Sequence, residues 1–144
     1  MRIENILAHK GRRLATIDPD DRVSDAIDLL ADWGVGALVV SSDKEHIDGI
    51  ISERDVVRSL ARENEWTLRL RVADLMTAEV VTCTVDDTVD SLMALMTENR
   101  IRHVPVVDGD VLVGIVSIGD IVNHRVRELE SEAEAMHEYI ATGR

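Results

Sequence analysis

The sequence predicts an α/β fold of two β-α-β-β-α repeats, packed face to face about a pseudo-two-fold axis and followed by a C-terminal helix. Three observations predict it. Val23-Ser24-Asp25-Ala26-Ile27-Asp28-Leu29-Leu30 aligns with Val89-Asp90-Ser91-Leu92-Met93-Ala94-Leu95-Met96 at an offset of 89 − 23 = 66 residues. Further along, Gly49-Ile50-Ile51-Ser52 aligns with Gly114-Ile115-Val116-Ser117 at 114 − 49 = 65. The one-residue slip falls in a turn between two apolar runs, where a folded unit tolerates a change of length. A unit of about 60 residues buries too little surface to stand comfortably alone, so the copies are expected to form one globule.

Each element has its own signal. Ile3-Glu4-Asn5-Ile6-Leu7 and Val72-Ala73-Asp74-Leu75-Met76 resemble each other as short helices leading into the repeats. The β segments Leu14–Ile17 and Val80–Thr84 follow, each running into an acidic pair, Asp20-Asp21 or Asp86-Asp87. A carboxylate there is expected to cap the next helix by accepting first-turn amides. Val23, Ala26, Ile27, Leu30 and Ala31 recur at i, i+3, i+4, i+7 and i+8, and Val89, Leu92, Met93 and Met96 repeat that amphipathic pattern. Two apolar β runs come next in each copy, Val35–Val40 with Ile47–Ile51 and Ile101–Val107 with Val111–Val116, turned by Asp43-Lys44 and Asp108-Gly109-Asp110. A second helix closes each copy, from about Ser52 and from about Ser117. This places the first repeat at 3–63, a linker at 64–71, the second repeat at 72–127 and a helical extension at 128–144. Val122, Val126, Leu129, Ala133, Met136 and Ile140 are spaced 4, 3, 4, 3, 4, a heptad seam over about three turns or more, too short for a free coiled coil. Two readings fit it: the helix lies back on its own domain, or it pairs with a second chain.

Composition excludes several classes. Sixteen Lys and Arg against 28 Asp and Glu leave a net charge of −12, which argues against general nucleic-acid binding. Only Trp33, Trp66 and Tyr139 are aromatic, so a planar ligand would be gripped by aliphatic side chains and backbone. The single cysteine, Cys83, forms no internal disulfide. No apolar run approaches the ~20 residues of a membrane span, and Met1-Arg2-Ile3-Glu4 does not open a signal peptide. The expectation is a cytoplasmic protein without membrane partners. His9, His46, His103, His124 and His137 lack metal-ligand spacing, and neither a Walker lysine motif nor a dinucleotide-binding glycine fingerprint occurs. No catalytic set can be nominated.

Two segments carry candidate chemistry. Gly49-Ile50-Ile51-Ser52-Glu53-Arg54-Asp55 and Gly114-Ile115-Val116-Ser117-Ile118-Gly119-Asp120 share the form Gly-apolar-apolar-Ser-x-x-Asp. Ser-x-x-Asp is close to a capping box that merely starts a helix. The same geometry offers free amides, a positive dipole end and a serine hydroxyl to a phosphate, with a carboxylate one turn on for two ribose hydroxyls. Arg100-Ile101-Arg102-His103-Val104-Pro105 gathers guanidiniums that match phosphate oxygens. Alternation splits that cluster, Arg100 and Arg102 to one side, Ile101 and His103 to the other. The bland reading makes Arg100 a helix C-cap and His103 an ordinary strand residue.

These residues resemble a tandem pair of CBS (cystathionine-β-synthase) domains, the Bateman module, of the small stand-alone bacterial type. The resemblance rests on residues 49–55, 100–106 and 114–120 and covers roughly residues 3 to 125. It implies a non-catalytic regulatory module that binds an adenine nucleotide (AMP, ADP, ATP or NAD(H), sometimes S-adenosylmethionine) in clefts between the repeats. Carried over residue by residue, one cleft uses Ser117 and Asp120 with Thr16, Ile17, Val35, Gly36 and Ala37, and Lys10 within reach of a phosphate. The other uses Ser52, Arg54 and Asp55 with Thr82, Cys83, Ile101, Arg102 and His103. Gly119 stands where the other copy has Arg54, so the clefts are not equivalent. The resemblance also implies a homodimer, an unknown regulated protein and no catalytic cofactor. The alternatives are a structural dimerisation module with empty clefts and an enzyme using Cys83.

Overall fold

The computed structural model describes residues 1–11 and 14–142. The elements run α1 (Ile3–Lys10), β1 (Thr16–Ile17), α2 (Val23–Trp33), β2 (Ala37–Val40), β3 (Gly49–Ser52), α3 (Glu53–Glu63), a 3-10 helix (Asn64–Arg69), α4 (Val72–Leu75), β4 (Cys83–Thr84), α5 (Val89–Asn99), β5 (His103–Asp108), β6 (Val111–Ser117) and α6 (Ile118–Ala141). Two three-stranded sheets result, β1-β2-β3 and β4-β5-β6. In each, the first strand is parallel to the second across a helix, and the second is antiparallel to the third. All four residues of β2 are buried, which explains an apolar run with no polar alternation.

Both halves use the same local devices. Gly34 and Arg100 end α2 and α5 in the left-handed conformation, so Arg100 is a helix C-cap. The acidic pairs are not N-caps. Those positions belong to Arg22 and Thr88. The Asp25 carboxylate reaches back to accept the Arg22 N–H at 3.1 Å, and Thr88 Oγ1 accepts the Ser91 N–H at 3.1 Å. The acids instead close the turns just upstream: Asp18 accepts from the Asp20 amide, Asp21 from the Asp18 amide and Asp87 from the Thr84 amide. In α2 the inner Asp25 therefore does the capping, and in α5 the N-cap Thr88 does it.

The leading helices cross over. Ile3, Ile6 and Leu7 of α1 lie in the core of the second half with Cys83, Leu92, Met96, Val104, Val106, Val116 and Ile121. Val72 of α4, with Leu75 and Met76, lies in the core of the first with Ile17, Ala26, Leu30, Leu38, Val40 and Ile51. The anchoring is symmetric: Ile3 N–H donates to Asp87 O (2.9 Å) and Glu4 N–H to Val85 O (3.1 Å), as Val72 N–H donates to Asp21 O (2.8 Å) and Ala73 N–H to Pro19 O (2.9 Å). First-turn amides, orphaned in any helix, are thus satisfied by the opposite repeat. A slot makes the crossing possible. A Cβ on Gly114 would stand 2.9 Å from Leu7, and one on Gly49 would stand 2.7 Å from Met76. The glycine of each Gly-apolar-apolar-Ser motif therefore admits the other repeat's helix.

The halves also meet directly, through the Leu112 N–H to Glu45 O bond at 2.7 Å. The segment between them is docked, with buried Ser59 and Thr67 hydroxyls paired at 2.8 Å. The C-terminal helix does not lie back. Beyond Ile121 and His124 no residue of α6 is buried, and Val122, Val126, Leu129, Met136 and Ile140 are 46 to 70 % exposed. No helix among the described residues is long and apolar enough to cross a membrane.

Candidate functional site

The two Ser-x-x-Asp segments sit where β3 becomes α3 and β6 becomes α6, because each Ser is the last strand residue and the N-cap at once. Both form full capping boxes. Asp55 Oδ2 accepts the Ser52 N–H at 2.9 Å and the Ser52 hydroxyl at 3.0 Å. Asp120 Oδ2 accepts the Ser117 N–H at 2.8 Å, and Ser117 Oγ accepts the Asp120 N–H at 3.1 Å. The capping role consumes one oxygen of each carboxylate. Oδ1 of either Asp has no hydrogen bond to a described residue, which leaves an anionic acceptor for a ligand's hydroxyls.

The copies diverge around that shared frame. Lys10 Nζ donates to Asp120 Oδ2 at 2.7 Å and to Ile115 O at 2.8 Å. Asp55 has no such partner: it forms no ion pair with a described residue, and α4 stops at Leu75, well short of the length that carries Lys10 in α1. His103, at the start of β5 and paired in register with Ser117, turns toward the other repeat. A Cβ on Gly36 would stand 3.2 Å from His103 Cε1 and Nε2 and 3.3 Å from Glu53 Oε1. His103 therefore lies beside a residue assigned to the Asp120 cleft, not solely among the Asp55 group. Burial, then the charge of Lys10, holds its imidazole below the usual histidine range, with Arg102 adding to this and Glu53 and Asp120 opposing.

That shift has a sign. The unfolded chain takes up a proton that the folded chain resists, so stability present above about pH 6.5 is lost as the pH falls through the histidine range. We expect the melting temperature to fall more between pH 7.5 and 5.5 for the wild type than for His103→Gln. Parallel curves would count against a buried, neutral His103.

The remaining predicted residues are placed as follows. Thr16 and Ile17 form β1, with Ile17 in the core. Val35 is exposed, Gly36 half-buried and Ala37 buried. Gly36 O accepts the Glu53 N–H at 2.9 Å, mirrored by Arg102 O and the Ile118 N–H at 2.8 Å. Thr82 is exposed and Ile101 half-buried. Arg54 and Arg102 are exposed, in no ion pair with a described residue. Cys83 is 3 % exposed in the second core, and burial, with Asp87 adding, pushes its thiol up to about 12. A thiol so placed is not a nucleophile at neutral pH. No cluster of His, Cys, Asp or Glu among the described residues is arranged to hold a metal.

Each carboxylate also lines a cavity, but apart from Asp55, and Asp120 with Lys10, none of the residues assigned to the two clefts lines either one. Asp120 lines a cavity of about 90 Å³ with Lys10, Ile6, His9, His124 and Arg127. Asp55 lines one of about 670 Å³ with Arg58, Ser59, Arg62, Asp74 and Leu75. The sequence reading missed Glu53, Arg58 and Arg62, although Asp55, Arg58, Ser59 and Arg62 at i, i+3, i+4 and i+7 share one face of α3.

Comparison with known proteins gives a consistent result. The family model described as CBS domain matches twice, at residues 10–62 and 72–127. The chain is 39 % identical over 128 residues to a mitochondrial CBS domain-containing protein of Arabidopsis thaliana, covering 86 % of this chain and 62 % of that one. It therefore spans less than two thirds of that relative. A CBS-domain containing protein from Agrobacterium tumefaciens superposes with a TM-score of 0.84 at 38 % identity, covering 87 % of this chain and 99 % of that one. The CBS domain pair of protein MJ0100, solved with 5′-methylthioadenosine and S-adenosyl-L-methionine, superposes with a TM-score of 0.79 at 25 % identity, covering 89 % and 98 %.

Proposed function

Since the chain belongs to the CBS-domain family and carries the domain twice, we propose that it is a non-catalytic sensor binding an adenine nucleotide in the clefts between its repeats. AMP, ADP, ATP and NAD(H) are the ligands considered, and the regulated partner is another protein. The observation that carries the reading is the pair of Ser-x-x-Asp caps, each leaving one carboxylate oxygen without a hydrogen bond to a described residue. The MJ0100 pair, whose structure holds two adenosine compounds, supports that ligand class. A cytoplasmic setting and a homodimer belong to the same reading. The buried thiol of Cys83 weighs against the enzyme alternative.

The clefts are expected to bind unequally. Lys10 already pairs with Asp120 through Oδ2, so a ligand at Oδ1 meets a carboxylate whose charge is largely balanced. Arg54 and Arg102 offer guanidiniums not yet committed, and Arg58 and Arg62 line the larger groove beyond Asp55. A longer phosphate chain gains more on that side.

A melting panel over AMP, ADP, ATP, NAD, NADH and S-adenosylmethionine tests the reading, followed by calorimetry on Asp55→Ala and Asp120→Ala. Each substitution should weaken one site by about 1–3 kcal/mol, the scale of a lost charged hydrogen bond. No response to any nucleotide would leave the structural module with empty clefts. Wild-type affinity and stoichiometry in both variants would make the Asp residues helix caps and nothing more.

A further inference from the structure

The geometry points to α6 as a pairing helix: we propose that it associates with α6 of a second copy as a parallel two-stranded coiled coil. The helix is 24 residues, about 36 Å, yet only its first three turns lie against the rest of the protein. From residue 129 onward every described side chain is exposed. The stretch from Leu129 to Ala141 is 13 residues, and an isolated helix of about that length is marginal in water. This one carries Glu128 with Glu132, Glu130 with Glu134, and Glu134 with Glu138 at i,i+4, each a repulsive pair. Its persistence calls for a covered seam.

The seam selects its own occupant. Val126, Ala133 and Ile140 take the a positions and Val122, Leu129 and Met136 the d positions, and β-branched Val126 and Ile140 at a with Leu129 at d suit a two-stranded coil. The flanks choose the direction. In a parallel pair the g residues Arg125 and Glu132 face the e residues Glu130 and His137 of the second copy, an arrangement with an attractive pair at Arg125–Glu130. In the antiparallel pair that aligns the same seam, Glu130 faces Glu130 and Glu132 faces Glu132 at the centre. The acidic middle of the helix thus opposes one orientation, and Arg125, free apart from a 3.9 Å contact to Glu128, favours the other.

The test uses the full chain with Met136→Cys, a d position far from the globular part. Cys83 is buried and does not compete. Mild oxidation should give a disulfide-linked dimer in high yield, and Leu129→Glu should abolish it while the monomer keeps a cooperative melting transition, since Leu129 is 59 % exposed and touches no core. In that background Arg125→Glu should raise the dimer dissociation constant by about tenfold, two contacts being reversed. An equimolar mixture with Glu130→Arg should restore pairing as a heterodimer. The proposal is overturned if Met136→Cys stays monomeric on oxidation, or if Leu129→Glu leaves the yield intact. Insensitivity to Arg125→Glu would likewise overturn the parallel register.

Discussion

Gly49→Ala is expected to cost about 2–3 kcal/mol, the upper range for overpacking a rigid contact. The added methyl would stand 2.7 Å from Met76 Sδ and 2.8 Å from Thr77 O. The sulfur can rotate away, but the carbonyl cannot. Thr77 O accepts the Ile50 N–H at 3.0 Å, and Thr77 N–H donates to Ile50 O at 2.9 Å, so the backbone beside Gly49 is pinned from both directions. Gly114→Ala is the internal control. The three atoms nearest its methyl all belong to the Leu7 side chain, the closest at 2.9 Å, and that side chain has other rotamers. That variant should lose about 1 kcal/mol. Denaturant midpoints at constant m-value read the difference. Equal losses would mean that the helices do not dock in these slots.

Ile3→Ala is expected to destabilise by about 2–5 kcal/mol, the range for truncating a buried aliphatic side chain without full collapse of the cavity. Ile3 is fully buried among Cys83, Leu92 and Val104. The location of the damage matters more than its size. Hydrogen exchange should quicken in β5 and β6, about a hundred residues away in sequence, before it quickens in β2 and β3. Loss of protection confined to β2 and β3 would place α1 on the sheet of its own repeat and contradict the crossover.

That crossover also marks the limit of what the residues announce. The repeat, the amphipathic helices and the strand pairs were legible because each is written in local spacing. Ser52 and Ser117 as helix starts were legible for the same reason. Where α1 goes was not. Ile3, Ile6 and Leu7 make an apolar face that suits either sheet, and the glycine slots that decide between them lie at Gly114 and Gly49. Asp20-Asp21 misled because Asp25 caps from inside the helix. The resemblance set Lys10 on the Asp120 side, but the residues alone did not, because its contact with Asp120 spans 110 residues and no spacing rule reports it. His103 meets Gly36 only because the two repeats face each other. The heptad of α6 was plain in the sequence, but whether its seam is covered is a fact of the surface.

The exchange of leading helices gives the two halves different birth orders. Everything the first core needs lies between Ala15 and Met76 and is complete once that stretch has left the ribosome. The second core needs α1, made before any of its own strands, and Lys10 must close on Ile115 across 105 residues. Loop closure grows only with the logarithm of length, so that span costs about 2 kcal/mol more than one a tenth as long. Synthesis therefore delivers a finished first half while Ile3, Ile6 and Leu7 still lack their sheet. The last strand to emerge, β6, brings the glycine under which Leu7 finally seats.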